Sequence, residues 1–92
     1  MLQKKDFYVN GEWIPPSSPN DFEVINPANE EAFAVISLGS KPDLNKAVTA
    51  ARTAFQSWSL CNKIERIDLL ESLGAVYEKR SSEMADAIST EM

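Results

Sequence analysis

The sequence predicts an α+β fold: short antiparallel strands, followed by an amphipathic helical hairpin and a third helix. Three observations carry that expectation. Apolar residues alternate with period 2 through Leu38 and recur with period 3.6 from Leu44 onward. Asn10-Gly11 sits between two apolar runs, a strong local signal for a hairpin. Two helix-start signatures, Ser40 with Asp43 and Asn62 with Glu65, stand in front of the two longest periodic stretches.

The strands are expected over about residues 7–38. FYVNGEWI (7–14) forms a hairpin about a type I′ turn, which needs positive φ at both central residues. PPSSPND (15–21) is a loop, since three prolines cannot donate to a ladder. FEVIN (22–26) alternates and ends at Pro27, and AFAVISL (32–38) alternates again beyond a turn at Ala28-Asn29-Glu30. The first helix spans about 41–58, with Ser40 as N-cap, Pro42 in the first turn and a stripe from Leu44 to Trp58. The second spans about 63–80, with Ile64, Ile67, Leu70, Leu73 and Tyr77 on its stripe. The short gap at Ser59–Cys61 predicts that the two lie antiparallel. A third helix is expected over about 82–92, with Met84, Ala85, Ile88 and Met92 on one face. It shows no stop signal, which reads as part of something longer.

Composition removes most function classes. At 92 residues the chain is at most one small domain, and 43% hydrophobic residues with 25% charged ones make it a folded rather than a disordered segment. A net charge of −5 without basic runs disfavours nucleic acid as a partner. No apolar stretch is long enough to span a membrane, and no secretory signal is visible. A single cysteine fits a reducing, cytoplasmic setting. The chain has no histidine, so neither a Cys-His pair nor a Ser-His-Asp triad can form within it, and zinc would find a poor ligand set.

Cys61 is the natural candidate nucleophile, with Lys63 and a helix N-terminus nearby to favour a thiolate. Without a base, an oxyanion-hole motif or a second thiol, it reads instead as a cysteine in an interhelical turn. Acidic pairs such as Glu30-Glu31 and Asp68 with Glu71 read as solvated, and the aromatic set Trp13, Phe22, Phe33, Phe55 and Trp58 reads as core packing. Gly11, Gly39 and Gly74 lie too far apart to form a phosphate loop.

The order of landmarks is more informative than any one of them. NGEW (10–13), VINPANEE (24–31), KPDLNKAVTAARTAFQSW (41–58), Glu65-Arg66 and Leu69-Leu70 follow one another. This order resembles the N-terminal segment of the aldehyde dehydrogenase superfamily, from about Phe7 to Met92, with AVTAARTAFQSW as its most specific part. One departure is Asn29-Glu30, where the family usually carries a glycine near the turn. The resemblance implies that residues 1–92 are the N-terminal part of the α/β cofactor-binding domain, an incomplete domain whose partner is the remainder of the dehydrogenase chain. It implies NAD or NADP as cofactor, an aldehyde as substrate and a homo-oligomer as the full-length protein. In the implied reaction a thiolate attacks the aldehyde, the thiohemiacetal passes hydride to the nicotinamide, and water releases the acid. The catalytic and cofactor-binding residues of the family all lie downstream, so none is expected in this chain. The resemblance further suggests a structural monovalent cation held by the backbone carbonyls of Val24 and Ile25 and the carboxylate of Glu91, since oxygen ligands suit a hard cation.

Two functions follow from this reading. One is an enzyme's N-terminal scaffold, inactive alone. The other is a complete small interaction module that binds a partner through its uncovered stripes.

Overall fold

The computed structural model describes residues 1–92. Its elements in chain order are β1 (Leu2–Lys4), β2 (Phe7–Val9), β3 (Glu12–Ile14), β4 (Asp21–Asn26), β5 (Glu31–Ser37), α1 (Lys41–Trp58) and α2 (Lys63–Glu91). The architecture is α+β. One sheet has the order β1-β5-β4, and β2 with β3 forms a separate hairpin.

The hairpin turns as its sequence requires. Asn10 (φ 54°) and Gly11 (φ 77°) are both left-handed, as a type I′ turn demands. That turn sets Tyr8 opposite Trp13, with ring centroids 5.1 Å apart and planes at 57°. In the larger sheet β4 runs antiparallel to β5, with Val24 opposite Ala34. β1 runs parallel to β5, with Leu2 opposite Ala34. A strand before Phe7 was not expected, because three residues exposed throughout leave no alternation to read.

The β4–β5 turn holds its shape through side chains. The Ala28 N–H donates to Asn26 Oδ1 at 2.9 Å, and the Glu31 N–H donates to Asn29 Oδ1 at 3.0 Å. The left-handed residue is Glu30 (φ 60°), not the more tolerant Asn29. Glu30→Gly is therefore expected to stabilise the segment by about 0.5–1 kcal/mol, the αL cost outweighing the extra chain entropy of glycine. A rise in the urea midpoint at constant slope would show this.

Both helix starts form as written. The Ser40 N–H donates to Asp43 Oδ2 at 3.0 Å. Asn62 and Glu65 complete a reciprocal box: the Glu65 N–H donates to Asn62 Oδ1 at 2.9 Å, and the Asn62 N–H to Glu65 Oε2 at 3.1 Å. Two helical expectations need correction. The helices expected over 63–80 and 82–92 are one, because α2 runs unbroken through Ser81-Ser82. The Ser81 hydroxyl donates back to the Glu78 carbonyl instead of capping a new helix, and the Arg80–Glu83 pair, 2.6 Å apart, spans the expected break. Nor do α1 and α2 pack as a hairpin. α1 meets the fold at β2 and α2 at β4, while Phe55, Ile64 and Leu70 on the stripes stay exposed.

The segment is correspondingly spread out. Its radius of gyration is 16.9 Å, where a compact domain of this length would have roughly 12 Å. Only Ala34, Ser37 and Asp43 are buried. The aromatic residues expected in a core do not form one: Trp13, Phe22, Phe55 and Trp58 are exposed, and Phe33 is half-buried. Their faces have no second surface within these residues to close against.

Candidate functional site

Cys61 lies half-buried in the turn between α1 and α2, its N–H donating to the Trp58 carbonyl at 3.1 Å. The turn is fixed by the end of α1 and by the Asn62 cap that starts α2, so Cys61 occupies a connection. The sequence supplies no histidine to serve as its base.

The one buried charged group is Asp43, 7% exposed at the third position of α1. Its Oδ1 accepts the Ser17 N–H at 2.9 Å, and its Oδ2 accepts the Ser40 N–H at 3.0 Å and the Ser40 hydroxyl at 2.8 Å. Lys46 Nζ donates to Ser17 Oγ at 3.2 Å. These bonds, the Ser17 N–H first and the two from Ser40 next, hold the Asp43 carboxyl far below the usual carboxylate range. The arrangement fastens the proline-rich loop to the start of α1. Sequence reading finds the Asp43–Ser40 half, which is local, and misses Ser17, which lies 26 residues away.

An open groove between the hairpin and α1 is lined by Val9, Glu12, Ile14, Lys46 and Thr49 among others. It carries one acid, one base and no nucleophile paired with either. A shallow cleft beside Trp13 is lined by Lys4, Lys5 and Asp6. Neither groove brings together the glycines that cradle a dinucleotide's phosphates; Gly11 is in the hairpin, Gly39 precedes α1 and Gly74 is inside α2.

Val24 and Ile25 sit on β4, which pairs only with β5 and so is an edge strand. The register skips Phe33 between the Val24–Ala34 and Ile25–Ala32 pairs, so a bulge disrupts the ladder beside both residues. Glu91 is the last residue of α2. α2 meets the rest of the fold at β4, and Thr90 is its one residue that is not exposed. No three His, Cys, Asp or Glu side chains gather as a metal cluster. No helix is long and apolar enough to cross a membrane.

The comparisons with known proteins agree with one another. The model of the aldehyde dehydrogenase family matches residues 13–92. A 3-succinoylsemialdehyde-pyridine dehydrogenase from Pseudomonas sp is 41% identical over 92 residues, covering 100% of this chain and 19% of that protein. The crystal structure of an aldehyde dehydrogenase from Bartonella henselae superposes with a TM-score of 0.99 at 53% identity, again over 100% of this chain and 19% of the other. The chain thus spans about a fifth of the length of the relatives it matches. Its β4–β5 pair and both capped helices fall within residues 13–92, and the chain belongs to the aldehyde dehydrogenase family.

Proposed function

We propose that these residues are the N-terminal scaffold of the cofactor-binding domain of an NAD(P)-dependent enzyme that oxidises an aldehyde to a carboxylic acid. The observation that carries this reading is the uncovered apolar surface of α2: Leu69, Leu70, Leu73, Val76 and Tyr77 are each more than half exposed. Such a run is what a helix presents when most of its domain lies in other residues. Relatives about five times as long supply the length for that cover. The reading of a complete interaction module is correspondingly disfavoured.

When bound, the dinucleotide supplies the hydride acceptor. The donor set of this segment does not fit it, so its site belongs to the remainder of the chain, as do the nucleophile and base. What these residues contribute is position. The Asp43 latch sets α1 against the strand loop, and the Asn62–Glu65 box sets where α2 begins. Val24, Ile25 and Glu91 fit a monovalent cation by chemistry: carbonyl oxygens on a bulged edge strand and a carboxylate on the helix that meets it. The full-length enzyme would be a cytoplasmic homo-oligomer.

The purified 92-residue chain is expected to show no aldehyde-dependent reduction of NAD or NADP, whereas the full-length polypeptide turns over. Turnover by the segment alone would overturn the scaffold reading.

A further inference from the structure

We infer that Arg66 is an internal ion-pair anchor: in the full-length protein it takes a carboxylate carried by the remainder of the same polypeptide, at the centre of the surface that covers α2. The inference rests on the scaffold reading above and on three observations about one residue.

The first is angular position. At ~100° per residue the apolar side chains of α2 occupy about half its circumference. Leu69, Leu70, Leu73, Val76 and Tyr77 mark that arc through the first half of the helix. Arg66 falls on its midline, three, four and seven residues before Leu69, Leu70 and Leu73. The second is electrostatic. Arg66 lies in the first turns of α2, where the helix dipole disfavours a cation. A position that costs local stability and interrupts an apolar arc is better filled by a neutral side chain unless the charge has a partner. The third is that no such partner is present. The ion pairs within these residues are Lys5–Asp21 and Arg80–Glu83, and Arg66 is in neither. Arg80, which also falls within the arc farther along, already has Glu83.

Covering the arc removes Arg66 from water. A buried guanidinium requires an anion with matching geometry, and a carboxylate meets its fork with two parallel hydrogen bonds. The covering segment therefore presents an Asp or Glu among apolar side chains. The occupant is the rest of this chain, because relatives that match every residue here continue for about four times its length.

The test uses the full-length protein with Arg66→Lys, Arg66→Met and Arg66→Glu, reading thermal midpoint together with kcat and KM for NAD(P) and aldehyde. The expected order of thermal midpoint is wild type, Arg66→Lys, Arg66→Met, Arg66→Glu, with the last the least stable by several degrees. Folded variants are expected to keep KM for both substrates. An exposed Arg66 gives the opposite sign for glutamate, which is favoured in a helix's first turns, and a neutral or raised midpoint in Arg66→Glu would overturn the inference. An unchanged midpoint with a raised KM for the dinucleotide would also overturn it, assigning Arg66 to the cofactor. Absence of dehydrogenase activity in the wild-type protein would instead count against the scaffold reading. If Arg66→Glu does not fold, the Lys and Met variants decide by the same order.

Discussion

Leu73→Asp in the full-length polypeptide is expected to cost at least about 4 kcal/mol and to lower the thermal midpoint by about 4 °C. Leu73 is 63% exposed within these residues, yet it lies near the middle of the apolar arc of α2. Covering a leucine contributes about 2–3 kcal/mol, and enclosing a carboxylate without a partner adds a penalty of similar size or larger. In the 92-residue chain alone the same change is expected to stay within about 0.5 kcal/mol, because there Leu73 already faces water. The two measurements together separate a buried interface from a helix that is solvated in both settings. Equal effects in the two proteins would mean that no surface covers α2 at that point.

The contrast between the two settings also explains which parts of the fold were legible in the sequence. Features that close over three or four residues could be read: the Asn10-Gly11 turn, the Ser40–Asp43 and Asn62–Glu65 boxes, and the alternation of β4 and β5. The misreadings came from signals with two local meanings. Ser81-Ser82 after Lys79-Arg80 resembles the end of one helix and the cap of another, but in α2 Ser81 bonds back to Glu78. The short Ser59–Cys61 connection suggests a packed hairpin, yet a short loop limits only the distance between helix ends, not which faces meet. β1 is invisible because pairing with β5 decides it and its own three residues do not. Glu30 takes the left-handed position because the Asn26 and Asn29 side chains over-determine the turn around it.

The candidate site divides the same way. Cys61 is discounted on what it lacks, since a nucleophile needs a base and the chain has no histidine. The Asp43–Ser17 contact could not be read, because no periodicity links a loop residue to a helix 26 positions later. The family resemblance supplies an expectation the residues alone do not: that the chemistry would lie beyond this segment, with its apolar stripes as surfaces for the rest of the chain to cover.

Asp43→Asn is expected to release the proline-rich loop from α1. An amide of the same shape offers one acceptor oxygen, and turns an NH2 group toward either the Ser17 N–H or the two donors of Ser40. One of the three donors at least is then unsatisfied in a site that is 7% exposed. In the full-length polypeptide, amide exchange at Ser17 and Ser40 should become at least ~tenfold faster, since bonds to an ionised acceptor are the stronger kind. The pH dependence gives an independent sign. Asp43's carboxyl is depressed in the folded state, so its contribution is fully present above the unfolded value of about 3.9 and is lost only as pH falls through the lower folded value. Ser17 protection should therefore persist below pH 4 in the wild type, where an unperturbed carboxylate would already have released it. In Asp43→Asn that part of the pH dependence should vanish. Unchanged Ser17 exchange in the variant would remove Asp43 as the latch and leave Lys46, through Ser17 Oγ, as the only tie between loop and helix.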